Sequence, residues 1–170
     1  MYSEKWKTWK ASIDEKTCLI CRKNNGKIYS VKSTPRPKPP VHLHCRCIIC
    51  KLQALFAGTA TNNDVNGADW SLIYLGKLPD YYITKNQARA MGWVSNKGNL
   101  DTVAPNTMIY SEYRNDDGKL PSAAGSIWYE ADINYTGGWR NNERILFSND
   151  GLVFVTYDHY ETFIEVIPYK

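Results

Sequence analysis

In the last third of the chain, hydrophobic and polar residues change places at every second position. The stretch EADINY, residues 130–135, puts Glu130, Asp132 and Asn134 on one side of an extended strand and Ala131, Ile133 and Tyr135 on the other. The second set is apolar enough for a core. Thr136-Gly137-Gly138 can turn the chain, and residues 143–148 alternate again. Further strand-like runs cover residues 108–113, 127–135, 152–157 and 163–167, with Asn149-Asp150-Gly151 as a hairpin signal. Ahead of them lie helical signals: residues 68–75 (ADWSLIYL) fit a short helix, and Thr84 caps another that stops at Gly92. Residues 99–104, ended by Pro105, allow one further helical turn. Helices followed by a meander of antiparallel strands predict an α+β fold with the helices on one sheet face. The other face, which carries Glu130 and Arg144, is expected to stay open.

Charge divides the chain in two. Residues 1–58 hold 12 Lys/Arg against 3 Asp/Glu, a balance of +9, and residues 59–170 hold 9 against 14, a balance of −5. Residues 54–67 (ALFAGTATNNDVNG) are small, polar and turn-forming, which predicts a basic module over 1–58, a linker over 59–66 and a second domain over 67–170. STPRPKPP, residues 33–40, reads as an extended spacer. No apolar run has the length of a membrane span, and residues 1–10 lack a signal-peptide core, so export has to be arranged by something outside these residues.

All five cysteines fall in the basic module. Cys18-Leu-Ile-Cys21, followed by His42-Leu-His44-Cys45-Arg46-Cys47, offers thiolates and imidazoles at spacings that can close a tetrahedral zinc site. The preferred ligands are Cys18, Cys21, His42 and Cys45, with Cys47 or His44 as alternates. Four protein ligands leave zinc no open position, so the expected metal is structural. The +9 charge suits nucleic acid and equally a solvated surface. The acids and arginines at 130, 132, 140 and 144 also allow two readings: a weak cross-strand ladder on a solvated face, or an anion site with a carboxylate placed to move a proton.

Two resemblances bear on these alternatives. WKASIDEKTCLICRKNNGKIY and PPVHLHCRC, within residues 9–47, resemble the C-terminal segment of Mu-type phage minor head proteins. That implies a piece of a phage-derived or toxin-delivery protein. KLPDYYITK (77–85), GWVSNKGNL (92–100), DGKLP (117–121), WYEADINYTGGWRNNERILFSND (128–150) and YDHYETF (157–163) resemble the barnase-type, guanyl-preferring bacterial ribonucleases. This second resemblance implies helices on a five-stranded antiparallel sheet and metal-free cleavage of single-stranded RNA to a 2′,3′-cyclic phosphate, with no cofactor for catalysis.

Carried over position by position, the resemblance implies Glu130 as general base, His159 as general acid, and Lys85, Arg140 and Arg144 as phosphate ligands, with Asp132 and Tyr160 behind them. Imidazole suits the acid role because it titrates near neutral pH. The guanine loop, residues 114–121, departs from the family's SNREGKLP. Asn115 matches the loop-shaping residue, Asp117 stands for a glutamate that accepts from guanine, and Asp116 reverses the charge of an arginine. Weaker RNA affinity is expected, and so are changed contacts to the small acidic inhibitor of such enzymes, barstar. Gly151 and Ser126 replace a tryptophan and an arginine, changes expected to affect stability more than mechanism. Together the two resemblances imply a monomeric toxin for competition between bacteria. It would be delivered as part of a larger protein, act in the target-cell cytoplasm and be held in check by a barstar-like immunity protein. The alternative is a catalytically inactive RNA- or partner-binding tail on a zinc-binding head protein.

Overall fold

The computed structural model describes residues 1–169. The chain opens with strand β1 (Tyr2–Lys10), helix α1 (Leu19–Asn24), β2 (Ile28–Ser30) and β3 (Ile48–Phe56). It continues with α2 (Ala68–Leu75), β4 (Tyr82–Thr84), α3 (Lys85–Ala90) and α4 (Leu100–Val103), then β5 (Met108–Tyr113), β6 (Trp128–Asp132), β7 (Arg144–Ser148), β8 (Val153–Thr156) and β9 (Ile164–Ile167). Among the described residues these strands form one sheet in the order β2-β1-β3-β9-β8-β7-β6-β5-β4.

The fold expectation is therefore corrected. The architecture is a nine-stranded mixed sheet with four short α-helices, and not N-terminal helices on a five-stranded antiparallel sheet. The run β5 to β9 is antiparallel, but β3 lies parallel to β9, with Ala54 opposite Glu165 and Phe56 opposite Ile167, and β4 lies parallel to β5. The physical reason is the β9 edge. Its unpaired backbone groups take β3 as partner, whose Leu52 and Ala54 are buried at alternate positions. β1 then pairs with both β3 and β2. The first element is thus a strand.

Local chemistry sets the helices. Thr84 and Gln87 form a reciprocal capping box, each side chain accepting the other's backbone N–H at 3.1 and 2.8 Å, which starts α3. Gly76 ends α2 in the left-handed region at φ 70°. Asp69, fully buried in the first turn of α2, accepts from the Gly58 and Ala60 backbone N–H groups and from the Thr61 hydroxyl at 2.7–2.9 Å, so its charge is satisfied where the chain leaves β3.

α2 covers one sheet face with Ala68 and Leu72 against Ala131, Ile133, Ile145 and Val155. The opposite face is not left open along its length. Ile28, Leu52, Leu120 and Phe163 close over Trp128, Leu146 and Phe154 at one end, which leaves the end that bears Glu130, Asp132 and Arg144.

Candidate active site

Register brings the charged side chains together. On β6, Glu130 and Asp132 point to the same side, and β7 sets Arg144 directly opposite Asp132. Lys85 is the first residue of α3, and Tyr160 lies in the turn after β8.

Glu130 is buried, with only 9% of the residue exposed. Its Oε1 accepts from Lys85 Nζ at 3.0 Å and from Ser111 Oγ at 3.1 Å, and its Oε2 accepts a short hydrogen bond from the Tyr160 hydroxyl. Burial pushes its pKa up, and the bonds from Tyr160, Lys85 and Ser111 outweigh burial, so the carboxyl stays below its ordinary value. Burial, then the Glu130 charge, push the Tyr160 phenol well above its own ordinary value.

Asp132, 1% exposed, holds both arginines. Arg140 donates through Nε and Nη2 at 2.7 Å each, a forked pair. Arg144 Nε stands 3.0 Å from Asp132 Oδ1 but off the line of a hydrogen bond. Arg144 Nη1 donates to the Asn141 and Glu143 carbonyls at 2.7 Å each. Arg140 Nη1 and Arg144 Nη2 make no hydrogen bond among the described residues. The guanidinium of Arg140 also lies 6.0 Å over the Trp93 ring. With both carboxylates buried, the solvated-ladder reading does not describe this face.

His159 is exposed, sits at φ 56° and rests against the Tyr160 ring at 4.9 Å between centroids. It therefore joins the group from the rim. Asn115 braces the next loop through Leu120, donating to its carbonyl at 2.7 Å and accepting from its N–H at 3.1 Å. Asp117 accepts from the Lys119 N–H at 3.1 Å, and Asp116 is exposed. Tyr113, at the head of this loop, stacks on Tyr160 at 5.3 Å. Ser126 donates to Asp150 at 3.0 Å, a neutral contact to a carboxylate.

Two participants escaped the sequence reading. Ser111 is the cross-strand partner of Glu130, which strand alternation could have located, and Asn141 fixes Arg144, for which no local pattern exists. A cleft of about 630 Å³ between the N-terminal strands and residues 162–164 holds none of these side chains.

The cysteine module gathers its own cluster. Cys18, Cys21 and His42 form one group of close ligand atoms, and Cys21, Cys45 and Cys47 form another. Cys21 Sγ lies 3.5 Å from His42 Nε2 and 3.8 Å from Cys45 Sγ. The Nδ1 atom of His42 is 2.7 Å from the Leu43 carbonyl, which turns Nε2 toward the sulfurs. Backbone hydrogen bonds at Val41 and Cys47 hold the Cys45 thiol down at about 7, whereas burial pushes Cys21 up. Thiol and imidazole donors gathered around one buried sulfur are the donor set that a structural zinc takes. His44, exposed at φ 60°, is in neither group.

Comparison with known proteins bears on both regions. The family model described as ribonuclease matches residues 71–167, and that described as Phage Mu protein F like protein matches residues 1–50. Over 108 residues the chain is 49% identical to proteins named Ribonuclease from Heyndrickxia coagulans and Bacillus intermedius. That stretch is 63% of this chain and covers 99% and 67% of those two proteins.

Proposed function

The chain belongs to the ribonuclease family, and on that premise we propose that it cleaves single-stranded RNA 3′ of guanosine without a metal, as an endoribonuclease. Glu130 takes the ribose 2′-hydroxyl proton, and the 2′-oxygen attacks the adjacent phosphorus. His159 gives a proton to the departing 5′-oxygen, leaving a 2′,3′-cyclic phosphate. In its slower hydrolysis the two residues exchange roles. Lys85 and the unengaged Nη atoms of Arg140 and Arg144 bind the phosphoryl oxygens as charge builds there. Asp132 and Tyr160 position these groups, while Asn115 and Asp117 hold the base. Asp116, beside them, weakens the hold on RNA.

The observation that carries this reading is the buried Glu130 carboxylate. It accepts three hydrogen bonds, and a carboxylate has about four lone-pair sites. One remains for a substrate hydroxyl, next to two anchored arginines.

In this reading residues 1–58 are a zinc-stabilised unit joined through residues 59–66 to the nuclease at 67–170. The match of residues 1–50 to Mu F-like proteins supports carriage on a phage-derived or exported protein. The product is a monomeric toxin that acts in a competitor's cytoplasm, and a small acidic barstar-like protein neutralises it in the producer.

The test is cleavage of a fluorescent single-stranded RNA with one guanosine, in EDTA, with circular dichroism of the same sample to check the fold. Wild type is expected to cut 3′ of the guanosine. Glu130→Ala and His159→Ala are each expected to lose about 10²- to 10⁴-fold in rate. A folded wild type that leaves the RNA intact would transfer the domain to the binding-tail alternative.

A further inference from the structure

The turn between α1 and β2, inside the Mu F-like segment, docks on the two loops that frame the proposed site. Ile28 N–H donates to the Lys119 carbonyl at 2.8 Å. Gly26, at φ 78°, is pressed so closely on residue 161 that a Cβ there would run into the Glu161 carbonyl oxygen. Lys119 ties the two loops together, donating from Nζ to the Tyr160 carbonyl at 3.0 Å. Between these contacts stands Lys27. Its ammonium lies 4.0 Å from where a Cβ on Gly118 would be, at the tip of the loop that carries Asp116 and Asp117. Lys27 forms no ion pair among the described residues, and its near neighbour is the Tyr29 ring at 5.9 Å.

We propose that Lys27 is an RNA-binding residue of this ribonuclease: a cation supplied by the Mu F-like segment that contacts a substrate phosphate beside the Asn115–Leu120 loop. Residue 27 lies outside the ribonuclease match, which begins at residue 71. The loop presents two adjacent carboxylates to a polyanion, and the exposed Arg114 at its start is one charge against two, so a further positive charge close by favours binding. Lys119 is spoken for by Tyr160 and Glu161. The backbone of Lys27 is held by its turn, donating its N–H to Asn24 O and accepting at its carbonyl from Trp9 N–H, so the base of the side chain is fixed beside the loop. The proposal rests on the ribonuclease reading for its substrate, but its test does not require cleavage.

Binding is measured by fluorescence anisotropy with a single-stranded RNA whose one guanosine is replaced by 2′-deoxyguanosine, which lacks the attacking oxygen. Lys27→Met is expected to raise Kd about two- to fivefold, the size of a half-exposed ion pair. It should also reduce the slope of log Kd against log salt by about 0.7, the loss of one phosphate contact to a single strand. Lys27→Arg should restore both. Lys32→Met, the same charge change at an exposed position, should alter neither. An unchanged slope in Lys27→Met overturns the proposal, as does an equal effect of Lys32→Met or failure of Lys27→Arg to rescue. A merely structural role for Lys27 would lower the unfolding midpoint without moving the salt slope. If wild type binds in this way yet does not cut an all-ribose RNA, the ribonuclease reading fails and the Lys27 contact stands.

Discussion

Replacing Asp132 by alanine separates a buried ion cluster from a surface ladder. If the cluster were solvated, each pair would be worth about 0.2–1 kcal/mol. Here the carboxylate is 1% exposed and its removal strands two guanidinium groups. They do not suffer equally. The Arg140 side chain is 23% exposed and can turn to water, whereas the Arg144 side chain, 6% exposed, keeps only its carbonyl partners Asn141 and Glu143. Breaking a buried pair costs about 3–5 kcal/mol, and the escape of Arg140 places this case in the lower half, about 3–4 kcal/mol. For a chain of this length that lowers the unfolding midpoint by roughly 6–16 °C. Urea unfolding followed by the fluorescence of the six tryptophans gives the free energy directly, with the m-value as a check that both states are comparable. A loss below about 1 kcal/mol at unchanged m would refute the reasoning, because the arginines would then be satisfied without Asp132.

Two further outcomes follow from the site and the cysteine cluster. As the proposed base, Glu130 must be ionised, and its carboxyl lies below the ordinary 4.5, so activity should persist under acid until the pH falls through that lowered value. Tyr160→Phe and Ser111→Ala each remove a donor while burial remains, and should move the acid limb of kcat/KM upward; a limb that stays in place in both variants would reject the assignment. The purified chain should carry one zinc by elemental analysis. Cys21→Ser should abolish it, since Cys21 belongs to both ligand groups, and Cys50→Ser should not; zinc retained by Cys21→Ser would reject the site.

Some elements were legible in the sequence because their signals are local. Helix α2 over residues 68–75, the Thr84 cap and strands β5 to β9 follow from alternation, a capping pair and turn residues, each visible within about ten positions. The side to which Glu130 and Asp132 point followed from the same period. Their burial did not, because the groups packed on them, Lys85 and Tyr160 on Glu130 and Arg140 on Asp132, come from separate loops and a helix start and carry no local mark of where they dock. Strands β1 and β3 were missed: β3 alternates only around Leu52 and Ala54, and a register shift between residues 2 and 7 breaks the alternation of β1. Lysines at 5, 7, 10 and 51 occupy solvent-facing or edge positions, and the charge and cysteines of that region drew attention to metal instead. A parallel pairing such as β3 with β9 has no turn to announce it.

That pairing also bears on the order of events during synthesis. Ala54 meets Glu165 roughly 110 residues later in the chain, and at about 5–20 residues per second β3 waits roughly 6–22 s at the ribosome before its partner exists. Through that interval the strand has one unfilled edge, over residues 54–56. Docking of the Gly26–Ile28 turn waits as well, because Glu161 and Phe163 are made after nearly all of the nuclease. The frame of the RNA site is therefore completed late, by contacts of long sequence separation, and a nascent chain spends most of its synthesis without it.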